Sequence, residues 1–274
     1  MKLDGVTISP LGLGCSRVGS FNNPKPLAES RALIRAALDL GVTVIDTSNI
    51  YGQGDSEAQI GLALAGRRDS AFIVTKTGRG FSAKMRLLRP LKPILRPLLA
   101  ARKGGMVPSG VTARREGELR MNWAPETFGP SLDASLRRLR TDRVDGFLLH
   151  SPPAEVAGDP AVGRALADLK SSGKVVHFGV SCDDLPCLEA ALTMPGLTLL
   201  QLPWDVIEAI AATPLAARIR EQDIIVLARE VIRLQPTLSP VDAVRRAAAN
   251  PLVSSTLVGT SSDAHLRALA EAVA

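Results

Sequence analysis

The sequence predicts an α/β protein built as a single (β/α)8 TIM barrel over residues 1–274. Three observations carry that prediction. Eight short runs rich in Val, Ile and Leu recur along the chain, and helical patterns alternate with them. The runs are apolar almost throughout rather than alternating, as in parallel strands covered on both faces. A doubly wound sheet, the main rival, is marked by G-x-G-x-x-G after its first strand; here G-L-G-C-S-R-V-G has the wrong spacing.

The elements follow in order. L-G-L-G-C at 11–15 is the first strand, and in the helix at 27–40 Leu33, Ile34, Ala37 and Leu38 share one face. V-T-V-I-D-T at 42–47 and the helix at 56–66 form the second unit, and A-F-I-V-T-K at 71–76 opens the third. Its helix is at 126–140, where Phe128, Leu132, Leu136 and Leu139 line up. V-D-G-F-L-L-H at 144–150, V-V-H-F-G-V-S at 175–181, T-L-L-Q-L-P-W at 198–204, D-I-I-V-L-A-R at 223–229 and S-S-T-L-V-G-T at 254–260 complete the strands. The remaining helices are at 160–172, 185–194, 206–220, 240–249 and 263–273.

One composition break interrupts this alternation. The segment 80–122 is too long for an ordinary βα loop, and Pro90, Pro93 and Pro97 prevent a regular helix across it. It is read as a basic insertion within the barrel. Residues 79–120 carry 11 Lys/Arg against 2 Asp/Glu, which leaves −3 of the chain's +6 for the rest. So localised a charge does not predict nucleic-acid binding.

Bulk composition removes other classes. Hydrophobic residues make up 46% and aromatics only 3%, so the core is aliphatic. No apolar run approaches the roughly 20 residues needed to span a bilayer. The opening M-K-L-D-G-V-T-I-S-P lacks a signal-type apolar run. Cys15, Cys182 and Cys187 make no even framework and no C-x-x-C, which fits a reducing, cytoplasmic setting. His150, His177 and His265 show no ligand spacing, so no metal is expected.

In such a barrel, polar residues at the C-terminal ends of strands point into the active site. Asp46 ends the second strand, Lys76 the third and His150 the fourth. Tyr51, the one tyrosine of the chain, follows the second. Each type alone also serves ordinary packing or capping; the combination at consecutive strand ends suits chemistry. A phenol is a weak acid at neutral pH, with an unperturbed pKa of about 10. A nearby ammonium is expected to lower it, an aspartate to keep that ammonium charged, and a histidine to donate to a substrate oxygen. Together they form a general acid for a carbonyl oxygen gaining negative charge.

These residues make the chain resemble the aldo-keto reductases. The matching pieces are G-L-G-C at 12–15, I-D-T-S-N-I-Y-G-Q-G-D-S-E at 45–57, V-T-K-T-G at 74–78, S-L-D-A-S-L-R-R-L-R-T-D-R-V-D-G-F-L-L-H at 131–150, S-G-K-V-V-H-F-G-V-S at 172–181 and L-V-G-T-S-S-D-A-H-L at 257–266. The resemblance implies a catalytic tetrad of Asp46, Tyr51, Lys76 and His150, with Tyr51 the general acid/base. It implies metal-free hydride transfer between NAD(P)(H) and a carbonyl or alcohol, with NADP(H) preferred to NAD(H). Ser181 and Gln201 match carboxamide-holding positions, Arg229 the position packed on the nicotinamide ring, and Gly259, Thr260 and Ser261 the turn that receives a phosphate. Two departures stand at the nucleotide end. L-R-A-L replaces the family's L-R-E-N at 266–269, and the connection after Arg229 is short. A looser cofactor grip, or an altered NADP/NAD preference, is expected.

The expected partner is a small carbonyl or sugar substrate; the basic segment is read as a cap that attracts an anionic substrate, as a docking surface for an acidic partner or membrane, or as a solvated insertion. Trp123 and Trp204 are candidates for the substrate pocket, with core packing as the alternative for both. A second functional reading is a catalytically weak, reductase-like subunit that binds NADP(H) and docks to a protein partner.

Overall fold

The computed structural model of the chain describes residues 2–3, 6–20, 23, 25–81 and 119–273. Strands β1 (Lys2–Leu3) and β2 (Val6–Thr7) form a small antiparallel hairpin that precedes the barrel. The barrel strands are β3 (Leu11–Gly14), β4 (Val44–Asp46), β5 (Phe72–Thr77), β8 (Val144–His150), β9 (Val175–Ser181), β10 (Leu199–Pro203), β11 (Ile225–Arg229) and β12 (Ser255–Val258). All eight pair in parallel and close on themselves, β12 against β3. Between β5 and β8, β6 (Arg79–Phe81) pairs antiparallel with β7 (Leu119–Met121). These strands are the described ends of the basic segment 80–122, most of which lies outside the described residues.

Strand periodicity explains how the barrel presents its chemistry. Successive side chains alternate between faces, so residues two apart share one. Val44, Phe72, Val74, Leu148, Leu199, Ile225, Leu227 and Leu257 pack together as one apolar cluster, joined by Val6 and Ile8 from the N-terminal stretch. Alternate residues such as Ile45, Ile73, Phe147, Leu149, Val180, Leu200, Val226 and Val258 belong to the larger cluster shared with the helices. One further step of two along the inner face gives Asp46 after Val44, Lys76 after Val74, His150 after Leu148, Gln201 after Leu199 and Arg229 after Leu227. The inner face therefore passes from aliphatic to polar at one end of the barrel.

The surrounding helices are α1 (Leu27–Asp39), α2 (Asp55–Ala63), α3 (Phe128–Leu139), α4 (Ala154–Ala157), α5 (Pro160–Ser171), α6 (Leu185–Ala191), α7 (Trp204–Ile210), α8 (Pro214–Glu221), α9 (Pro240–Ala248) and α10 (Asp263–Glu271). Where the sequence predicted one helix at 206–220 there are two, α7 and α8. Pro214 is the cause: it occupies the first turn of α8, while the preceding Thr213 is extended (φ −105°, ψ 164°) and breaks the run. Asp159, Asp184, Ser239 and Ser262 cap α5, α6, α9 and α10 by accepting a backbone N–H. Among the described residues, no helix is long and apolar enough to cross a membrane.

Candidate active site

Asp46, Lys76 and His150 sit at the ends of three consecutive barrel strands, and register makes them neighbours. Asp46 is level with Val74, and Lys76 with Leu148. Lys76 Nζ donates to Asp46 Oδ1 at 2.5 Å and to the Thr47 carbonyl at 2.8 Å. Tyr51 enters from the turn after β4, with Lys76 Nζ 5.2 Å from its ring centroid. Its ring meets that of His150 edge-on, at 5.8 Å between centroids and 87° between planes. The turn itself depends on Gly52, which has φ +57°; a Cβ there would stand 2.5 Å from the Val18 carbonyl oxygen. The four residues named as a tetrad are thus brought together.

Burial sets their protonation. Burial disfavours the Lys76 ammonium, yet Asp46 and Tyr51 outweigh that cost, and its pKa ends above the ordinary lysine value. For Tyr51, burial is the largest influence and raises the pKa; the Lys76 charge opposes it without reversing it. The lowered tyrosine pKa expected from the sequence is therefore corrected. The site holds a protonated phenol, because desolvation of a phenolate outweighs the single ammonium beside it. His150 is held neutral, its pKa pushed well below 6.5 by burial and then by Lys76, Arg79 and Arg229.

The neutral imidazole has an orienting partner that sequence reasoning missed. Ser48 Oγ lies 3.0 Å from His150 Nδ1 and 3.1 Å from Asn49 Oδ1. Its single proton serves one of them. When Ser48 donates to Nδ1, the ring carries its own proton on Nε2, and Nε2–H becomes a donor for a substrate oxygen. Ser48 stands inside the motif around Tyr51, two residues past Asp46; the strand-end position was a usable signal.

Tyr51, His150, Ser181, Gln201, Arg229 and Gly259 all line one cleft of about 620 Å³. Ser181 Oγ donates to Gln201 Oε1 at 2.9 Å, and Gln201 Nε2 donates to Asp46 Oδ1 at 2.8 Å. A continuous chain of hydrogen bonds therefore joins Ser181, Gln201, Asp46 and Lys76. Arg229 donates to the Cys182 carbonyl at 2.9 Å and is ion-paired to Asp183 and Glu230, while its buried Nε has no hydrogen-bond partner. Asp183 also accepts from Ser151 Oγ at 2.8 Å and lies 3.9 Å from Arg79. This rim of ion pairs joins the ends of β5, β9 and β11 and was not foreseen, because Arg79, Asp183 and Arg229 are far apart in sequence. Thr260 and Ser261 lie beyond the cleft beside Lys25, which donates to the Ser261 carbonyl at 2.5 Å. At the far end, Leu269 is buried in the core and offers no polar group to the surface.

The two tryptophans fall elsewhere. Trp204 is 2% exposed and packs in the main core, with Arg246 5.6 Å over its ring. It does not line the cleft: as the first residue of α7 it turns toward the helical layer. Trp123 packs partly buried against the same core and over Gly78, where a Cβ would meet its ring at 1.8 Å. Among the described residues, no group of three or more His, Cys, Asp or Glu is placed to hold a metal ion.

The chain matches the sequence profile of the aldo/keto reductase family over residues 10–240. It is 30% identical over 185 residues to 6-dehydroglucose reductase of Novosphingobium aromaticivorans, covering 65% of this chain and 48% of that protein. It is 27% identical over 197 residues to aldo-keto reductase yakc [NADP(+)] of Schizosaccharomyces pombe, covering 71% of this chain and 48% of that one. The matched region thus spans about half the length of these curated relatives. In structure it resembles the holo form of an aldo-keto reductase from Bacillus halodurans, with a TM-score of 0.74 at 21% identity over 100% of this chain and 90% of that one. The profile match begins one residue before β3 and ends at the first residue of α9. It takes in seven of the eight barrel strands and all four residues gathered around Tyr51, and so the chain belongs to the aldo/keto reductase family.

Proposed function

We propose that this chain is an NAD(P)(H)-dependent oxidoreductase that reduces the carbonyl of an aldehyde, ketone or aldose, with Tyr51 as general acid. The observation that carries the proposal is the hydrogen-bond chain from Ser181 through Gln201 and Asp46 to Lys76, beside a protonated Tyr51. It ties the positions matched to a carboxamide directly to the proton-donating group. The cleft residues fit a dinucleotide. The amide of Gln201, the hydroxyl of Ser181, Arg229 with its unpartnered buried Nε–H, and Arg233 line the same cleft as the phenol. The name of the S. pombe relative favours NADP(H) over NAD(H).

A bound reduced nicotinamide supplies the hydride to the carbonyl carbon. The protein's part is to place and charge the other end of that bond. His150, neutral and oriented by Ser48, donates from Nε2 to the carbonyl oxygen. Tyr51 then delivers its hydroxyl proton to that oxygen, and the Lys76 ammonium stabilises the phenolate left behind. Asp46 keeps Lys76 charged and is itself held by Gln201, so neither moves as charge develops. In the reverse direction Tyr51 is the base. The substrate is a small carbonyl compound, and the family resemblance makes a sugar aldehyde a natural candidate.

The test is consumption of NADPH or NADH with a panel of aldehydes and aldoses, compared with Tyr51→Phe. Removing a general acid is expected to lower kcat by about 10²–10⁴-fold while dinucleotide binding persists. Nucleotide binding with parent turnover no higher than that of Tyr51→Phe would overturn the proposal.

A further inference from the structure

A second cavity of about 550 Å³ lies on the other side of Arg79, between the Tyr51–Gly54 turn, the β6–β7 ends and helix α3. Among the described residues, Arg79 alone lines both cavities. Two polar atoms in the wall of this second cavity are buried without a hydrogen-bond partner: Gln53 Oε1 and Arg79 Nε. Gln53 is 9% exposed, so the unsatisfied amide oxygen has little access to bulk water. A buried acceptor and a buried donor left open in a native fold cost free energy unless a ligand or water completes them.

The remaining lining sets the chemistry of such a ligand. Arg120, Asn122, Ser131 and Arg138 also face this space, and no carboxylate is among its described lining residues. Arg138 is neutralised by Glu57 at 2.6 Å, and Arg79 lies 3.9 Å from Asp183. Arg120 has no carboxylate partner among the described residues, so it supplies the uncompensated charge. The wall thus offers one buried acceptor without a partner, several donors and surplus positive charge. That set suits a hydroxylated anion rather than an apolar group or a cation.

We propose that this cavity is the subsite for the distal end of the substrate: a hydroxyl-bearing chain ending in phosphate or another anionic group. Arg79 is the shared wall between it and the catalytic cleft. The proposal rests on the reductase reading for the word substrate, but its binding chemistry stands apart from it. Gln53 accepts from a ligand hydroxyl, Arg79 Nε donates to an oxygen, and Arg120 pairs with the terminal anion.

The experiment has two arms. In the first, sorbitol 6-phosphate, which has no carbonyl to reduce, is titrated calorimetrically into the parent, Arg120→Ala and Gln53→Asn. Asn tolerates the left-handed backbone of Gln53 and shortens the amide, so the fold is retained. Binding is expected in the parent, weakened about tenfold or more by Arg120→Ala and severalfold by Gln53→Asn, with sorbitol itself far weaker. In the second arm, the ratio of kcat/KM for erythrose 4-phosphate to that for propanal is expected to fall about tenfold in Arg120→Ala. Sorbitol 6-phosphate binding that depends on Arg120, without turnover of any carbonyl, would retire the reductase reading and retain the subsite. Turnover with no such binding, or with both substrates losing kcat/KM equally in Arg120→Ala, would overturn the subsite.

Discussion

Lys76 is fully buried, and Asp46 is nearly so. A buried charge survives only when paired and hydrogen-bonded, and this one has both conditions met through Asp46 and the Thr47 carbonyl. The consequence reaches the pH profile. Tyr51 titrates above 10.0 and His150 below 6.5. The acid must be protonated and the imidazole neutral, so neither requirement fails between those values. We expect kcat/KM for reduction to be flat from about pH 6.5 to 10, with the alkaline limb above and the acid limb below. A pH-rate series that bends within this window would show that another group, or a lowered tyrosine pKa, governs the step.

At the scale of elements, the site depends on how closely α2 and α3 can pack behind it. Gly61 of α2 lies against the end of α3, where a Cβ would meet the Leu139 carbonyl oxygen at 2.5 Å and that of Arg138 at 2.8 Å. Beside this contact, the fully buried Glu57 accepts from Thr75 Oγ1 at 2.7 Å and from Arg138 Nε at 2.6 Å. The ion pair locks α2 and α3 to β5, one residue before Lys76. Gly→Ala inside a helix ordinarily gains stability. Gly61→Ala is instead expected to destabilise by about 1–3 kcal/mol, because backbone rather than a flexible side chain must move. Denaturant titration of the variant measures it; an unchanged or raised midpoint would mean that the helices separate without cost.

At the scale of the whole molecule, the cleft is assembled from the ends of separate strands. A ligand filling this cleft would therefore bridge elements far apart in sequence, from Tyr51 after β4 to Gly259 after β12. On the proposed function, NADPH at about 100 times its Kd stabilises the folded state by about 2.7 kcal/mol. In a chain of this size that corresponds to a rise in Tm of roughly 5 °C. NADH at equal concentration is expected to give a smaller shift. Equal shifts would remove the NADP(H) preference, and no shift with either nucleotide would remove the cofactor.

Much of this was legible in the sequence because the relevant signals are local. Apolar β-branched runs named the strands, and Val144–His150 and Val175–Ser181 even have their observed bounds. A titratable residue at the C-terminal end of each of three consecutive apolar runs marked Asp46, Lys76 and His150. What the sequence could not give depends on distance through space. The desolvation that raises the Tyr51 pKa is a sum over every group packed around it, and no motif carries that sum. The Ser48–His150 contact spans 102 residues, and the Arg229–Asp183 pair 46. The fate of Trp204 turned on which layer its helix faces. Sequence by itself determined the barrel, through the order of apolar runs and helical patterns, the four groups at its mouth, through the residue types at the strand ends, and the resemblance to the family, through the motifs that carry those groups. Tertiary structure alone decided their protonation, the orienting serine, the ion-paired rim and the second cavity beyond Arg79, because burial and long-range contact exist only once the strands close.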